Sequence, residues 1–265
     1  MCMVQAPPSG VPQRQTKTGK KGEVHTDGDY LHNTPKHIAI CGAAGTLVAI
    51  NTGMAIGREL VLASSLGTGA WHLALSGLVA YALADFGTGV YHWAVDNYGD
   101  RNTPVFGYQI DAFQGHHKSP WTITERGVFN NVHKACVPAL PQLALLVLGS
   151  QLLPPALVIF WNTFLASVIM SQEIHKWAHM IQPPKFVVAL QDAGILLSRR
   201  AHGLHHSSPF EGNYCIVSGW FNGLLDKTGF FRFLEEYFYR RNGAVPNTWK
   251  LDEQLDARER LGGVQ

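Results

Sequence analysis

The chain is short of charge. Of its 265 residues, only 15% are Lys, Arg, Asp or Glu, against about 25% in an ordinary soluble domain. The two signs nearly cancel, leaving a formal net charge of +2, so the basic footprint of a nucleic-acid binder is missing. Cysteine is scarce too. Cys2, Cys41, Cys136 and Cys215 are scattered and form no CxxC pair, which argues against a zinc ribbon, a thioredoxin-type site or a disulfide framework. Three metal-site signatures do not occur: the HExxH of zinc proteases, the Glu-x-x-His pairs of soluble di-iron bundles, and the HPGG haem motif of a fused cytochrome b5. There is no internal repeat and no low-complexity tract.

What the chain has in quantity is apolar sequence, 46% of its residues, gathered into long runs. Residues 38–57 carry no charge and are about as long as a bilayer-spanning helix needs. A second run covers about 70–91, interrupted by His72 and Asp85, and delivers His92 and Asp96 at its far end. Runs at 137–153 and 156–170 are separated by Pro154-Pro155, which breaks a helix. Residues 185–197 are amphipathic and too short to span, so they read as an interfacial helix. The expected fold class is therefore all-α: a multi-pass membrane bundle of about four transmembrane helices under a His-rich helical cap. Residues 1–36, with Pro7, Pro8, Pro12 and several Lys and Arg, read as a disordered basic tail, with a transit peptide as one reading. Residues 37–245 form the membrane domain, and 246–265 a polar helix or tail.

Histidine stands out against this background. Of thirteen in the chain, eight lie in four clusters. His175 and His179 are four apart in QEIHKWAHM, on one helical face. His92 stands four before Asp96. His116 and His117 are adjacent, and His202, His205 and His206 form an HxxHH array. Imidazole suits iron, zinc, copper or nickel, and clusters at such spacing point to metal. Eight or nine imidazoles exceed what one ion uses, so two ions are expected. Four spans would return the chain to one side after the second and the fourth, which puts every cluster on one membrane face. The cations agree, since Arg58 alone falls in the connections on the other side, as the positive-inside rule requires. A redox centre beside apolar spans suits activation of O2 against an unactivated C–H bond of a lipid, with electrons from a separate donor. Spacing leaves desaturation and hydroxylation equally open.

The motifs YHWAVDNYGD, AFQGHHKSPWTIT, QEIHKWAH and LQDAGILLSRRAHGLHH…NYCIVSG resemble the lipid desaturase family, over roughly 80–245. That family includes a plastid branch, which desaturates palmitate on phosphatidylglycerol, and a plasmanylethanolamine branch, which makes vinyl ethers. The resemblance implies a membrane enzyme with two irons, O2 as co-substrate, a glycerolipid substrate, and ferredoxin or cytochrome b5 as electron donor. It implies a stroma- or cytosol-facing site in a plastid or thylakoid membrane, with endoplasmic reticulum as the alternative. The implied ligands are His92, His116, His117, His175, His179, His202, His205 and His206, with Asp96 as the associated acid. His133 resembles the plastid branch and is a candidate ninth ligand, expected near the His116–His117 pair. Asp96 is expected to orient His92 from behind more than to ligate. Glu173 stands where both branches usually carry Gln, Ser119 replaces a bulkier residue, and the Gly219-Trp220-Phe221-Asn222 stretch sits closer to the plasmanylethanolamine branch. Asp85 is expected to be structural. Asn131, Asn213 and Asn222 are expected in turns or at the surface, and Trp93, Trp177 and Trp220 in packing or an interfacial belt.

Overall fold

The computed structural model describes residues 31–250 except Ser64 and Pro209. The basic tail before residue 31 and the C-terminal polar segment after residue 250 lie outside the described residues. Among those described, the chain is all helix and turn, without a strand. Four helices are long and apolar enough to cross a membrane: α1 (Pro35–Leu62), α2 (Leu66–Asn97), α4 (Val128–Gly149) and α5 (Pro155–His179). Shorter ones are α3 (Gly107–His116), α6 (Lys185–Asp192), α7 (Arg199–His205), α8 (Asn222–Lys227) and α9 (Phe230–Asn242), with a 3-10 segment at Pro120–Glu125.

Local chemistry sets the helix ends. Thr34 caps α1 by accepting from His37 N (3.2 Å), the His37 ring closes the box on Thr34 N, and Pro35 occupies the first turn, where its missing N–H costs nothing. Ser65 caps α2 by accepting from Thr68 N. Pro155 opens α5. Two sequence boundaries differ from the expectation. The first apolar run ends at residue 57, yet α1 runs on through Arg58 and Glu59 to Leu62. The third span begins nine residues before the apolar run at 137, since polar Asn130 and Asn131 and two internal prolines, Pro138 and Pro141, are carried within α4. Composition marked the apolar part of that helix, and packing decides its length.

The four long helices pack α1 on α4 and α5, and α2 on α5. Their interior is small and aliphatic, built around Ala44, Cys136, Ala139, Leu143 and Ile169. Buried amides pin the helices to one another. Asn51 donates to the Leu143 carbonyl (3.0 Å) and Asn162 to Thr52 Oγ1 (2.9 Å), so each amide N–H finds an acceptor on a neighbouring helix. At one end of the bundle Arg58 donates to the Ser150 and Leu153 carbonyls, the acceptors that the end of α4 leaves unpaired. At the other end Gly127 N donates to the Leu31 carbonyl, and Lys176 Nζ to the Arg126 carbonyl. The start of α1, the start of α4 and the end of α5 therefore share one end, and the histidine end of α2 joins them there, with the His92 and His175 rings 5.8 Å apart.

At Gly89, α2 packs tightly against the segment after α7. A Cβ there would stand 2.4 Å from Cys215 Sγ and 3.2 Å from Cys215 N, and Cys215 is fully buried. Gly89→Ala should cost about 1–3 kcal/mol by overpacking. Gly42→Ala, with nothing within 4 Å, should leave stability unchanged or raise it by up to about 1 kcal/mol. Thermal unfolding of the two variants in detergent checks this; equal midpoints would refute it.

Candidate metal centre

Helical periodicity sorts the histidines. On α5, His175 and His179 share a face and bring their Nε2 atoms to 3.2 Å. On α7, His202 and His206 do the same at 3.1 Å, while His205 is turned to the side. At the end of α3, the neighbours His116 and His117 diverge. Two groups result. His116, His175, His179, His202 and His206 form one, and His92, Asp96, His117 and His205 the other; within each, the ligand atoms lie within 4.8 Å of one another.

The first group is not a hydrogen-bond network. A neutral imidazole carries one N–H, yet His179 Nε2 meets His202 Nε2 at 2.7 Å, His116 Nε2 at 2.9 Å and His175 Nε2 at 3.2 Å. One proton serves one such contact at most. Two nitrogens each about 2.0–2.1 Å from a common ion would be about 3 Å apart at a right angle, which is the spacing seen. The second group meets the same test. His92 Nδ1 donates to the Tyr214 carbonyl (3.0 Å) and His205 Nδ1 to the Gly212 carbonyl (2.9 Å). Their Nε2 lone pairs therefore face inward, 3.2 and 3.5 Å from Asp96 Oδ2, with His117 Nε2 at 3.1 Å from the same oxygen. Nε2 of His92, Nε2 of His205 and Oδ1 of Asp96 are buried without a hydrogen-bond partner, a costly state for polar atoms that a cation among them relieves. Both donor sets fit metal.

Burial, then the neighbouring His179, holds the His116 and His202 imidazoles well below the usual histidine range. Burial, then His205, lowers His206 to about 2. All three are neutral near pH 7, the form that ligates.

A turn scaffold holds the second group. Asp85, fully buried two helical turns before His92, accepts from the backbone N–H groups of Val217 (3.1 Å), Ser218 (2.7 Å) and Gly219 (2.9 Å). Asn222 clasps Cys215 at both N–H and carbonyl. These contacts fix the strand-like stretch that presents the Tyr214 carbonyl to His92. The Tyr214 hydroxyl donates to the Phe210 carbonyl.

Several expectations change. Asn222 is buried in this clasp, not at a surface, and Asn131 reaches inward to the Gln172 carbonyl and Glu173 Oε2. Asn213 does serve a turn, at φ 57°. The orienting role expected of Asp96 belongs to the Tyr214 carbonyl, and Asp96 points into the group itself. His133 lies in neither group. Its Nδ1 meets the Asn130 carbonyl at 2.7 Å and its ring stacks on His37 at 3.9 Å, because its position on α4 turns it toward the start of α1. Trp93 packs in the interior and donates to Glu235. Glu173 pairs with Lys176 at 2.6 Å, next to His175. The carbonyls of Tyr214 and Gly212 had no signal in the sequence, since a main-chain group has none.

A cavity of about 510 Å³ reaches the first group at His116 and His175, within the range of about 300–1,000 Å³ usual for ligand sites. Much of its wall is apolar, including Tyr91, Phe113, Phe164, Val168 and Ile216.

Comparison with known proteins points the same way. Residues 81–249 match the lipid desaturase domain. The chain is 50% identical over 181 residues to fatty acid desaturase 4, chloroplastic, of Arabidopsis thaliana, covering 66% of this chain and 54% of that protein. It is 34% identical over 184 residues to plasmanylethanolamine desaturase 1 of Mus musculus, covering 66% and 68%, and 33% identical over 183 residues to the plasmanylethanolamine desaturase of Myxococcus xanthus, covering 67% and 64%. The chain spans little more than half the length of the first of these. No solved structure matches.

Asp85→Ala would leave three backbone donors buried without an acceptor, a loss on the order of 3 kcal/mol or more. Lower thermal stability and lower bound metal, measured on the purified protein, are expected together; unchanged metal content would remove Asp85 from the scaffold. Acid should act on the histidines in a defined direction. Below about pH 6.5 the unfolded chain takes up protons that His116, His202 and His206 refuse in the fold. Stability is therefore intact above that pH and declines as pH falls toward the folded values. A melting series from pH 8 to 5 that stayed flat would contradict this.

Proposed function

Because the chain belongs to the lipid desaturase family, we propose that it is an integral-membrane di-iron desaturase that introduces a double bond into an acyl chain of a glycerolipid. The favoured substrate is palmitate carried on phosphatidylglycerol, and the favoured location is a plastid membrane, in keeping with the higher identity to the chloroplastic relative. The observation that carries this reading is the juxtaposition of two convergent donor groups with an apolar cavity that touches His116 and His175.

Desaturation takes one hydrogen from each of two adjacent carbons. With two electrons and two protons from outside, the O2 consumed leaves as two waters. Bound iron would supply the oxidising power that side chains lack. The protein's residues do the rest. Eight histidines and Asp96 hold the two donor groups. The Tyr214 and Gly212 carbonyls keep His92 and His205 in the tautomer that ligates. Tyr91, Phe113 and Phe164 line the path of an alkyl chain and exclude water from it. The electrons come from a separate carrier, ferredoxin or cytochrome b5.

Purified protein should carry about two irons per chain. His175→Ala and His179→Ala should each abolish product while the membrane-inserted amount stays the same. Lipids from expressing cells should gain an acyl double bond. Acid-labile aldehydes would instead mark a vinyl ether, and a hydroxyl group would mark a hydroxylase. Stoichiometric zinc in place of iron after native expression would defeat the redox reading.

A further inference from the structure

The cavity wall is not apolar throughout. Arg126 and Lys134 both line it, together with the amide and hydroxyl groups of Gln109, Asn130, Asn131 and Thr122. Arg126 is half-buried and built into the frame, and Lys134 is exposed at the rim. Arg126 directly precedes the cap of α4, its carbonyl receives Lys176 Nζ (3.2 Å), and its Nη1 donates to Asn130 Oδ1 (2.9 Å). Lys134 lies two turns along α4 with its ammonium 3.0 Å from the centroid of the Tyr108 ring, an arrangement that holds the charge in place. One cavity thus joins a cationic, donor-rich wall to an apolar wall that reaches His116 and His175.

We propose that Arg126 and Lys134 are the residues that receive the phosphate of the lipid substrate. The inference rests on the desaturase reading above and adds a recognition site to it. The guanidinium fork matches phosphate oxygens in pairs, and a lysine ammonium adds a point charge. The side-chain amides of Asn130 and Gln109 and the Thr122 hydroxyl are within the same wall to complete the shell. The placement is consistent with a bilayer: Arg126 sits at the histidine end of the bundle, where a span begins and a headgroup would lie, and the aliphatic part of the cavity runs between the spans.

The test uses the full-length iron-loaded protein in detergent and in vesicles, with the variants Arg126→Gln and Lys134→Gln and the exposed Lys227→Gln as a control for general charge. Retention of dipalmitoyl phosphatidylglycerol and of a dipalmitoyl galactolipid is read by native mass spectrometry, independently of turnover. Turnover is read on the same two lipids. Wild-type protein and the Lys227 variant should retain the phospholipid in preference. Either cavity variant should reduce that preference by about tenfold or more, with the effect in KM more than in kcat and with iron content unchanged. Excess inorganic phosphate, and free palmitate, should not displace the phospholipid. Equal loss on both lipids would make the two residues structural, and no loss on either would remove them from recognition. Displacement by inorganic phosphate or palmitate would assign the site to a free anion or a carboxylate. Each of these overturns the proposal while leaving desaturation intact. Selective retention without any double-bond product would instead retain the phosphate site and fail the desaturase reading.

Discussion

A neutral imidazole has one proton to offer, and at one end of this bundle five of them meet through the same ring nitrogen. Nitrogen–nitrogen separations of 2.7–3.2 Å are intolerable as lone pairs facing lone pairs and too many to be hydrogen bonds. A cation shared among them would satisfy them, and the donor sets fit one. The rest of the molecule can be understood as the framework that holds those rings together. Four helices contribute to the convergence: α2 gives His92 and Asp96, α3 gives His116, α5 gives His175 and His179, and α7 gives His202 and His205, with His117 and His206 at the caps of α3 and α7.

The framework depends on buried carboxylates used against backbone and cations rather than against metal. Asp85 gathers three backbone donors from one turn. Glu235 accepts from two tryptophans, Trp93 and Trp249, and tethers α9 and the chain after it to α2. Glu173 neutralises Lys176 one turn from His179. Each acid is nearly inaccessible to solvent, and each is satisfied, as burial of charge demands. This is a second layer of polar structure behind the histidine cluster, and it explains how a chain so poor in charge places these acids.

Helix type, span number and the shared face of His175 and His179 were legible in the sequence because they depend on local pattern. Apolar run length marks a span, and i, i+4 spacing marks a shared face. Expectations failed where a side chain's role depended on what lies opposite. His133 has a ligand's chemistry and a neighbour's spacing, yet the helical phase of α4 aims it at His37. Asn222 has a turn residue's composition and a buried clasp's role. Asp96 was expected behind His92, where the Tyr214 carbonyl stands instead.

By itself, then, the sequence determined the all-α membrane-type architecture and the clustered spacing of the histidines and Asp96, since hydrophobic periodicity and residue spacing are properties of neighbours along the chain. Only the tertiary structure decided how that set divides into five and four, which carbonyls fix the histidine tautomers, and that a cationic wall shares a cavity with an apolar one. Those facts arise between residues some 20 to 130 positions apart, such as His179 with His202 and Asp85 with Ser218. Helix packing alone brings such pairs together, and no local pattern encodes the angle at which two helices meet.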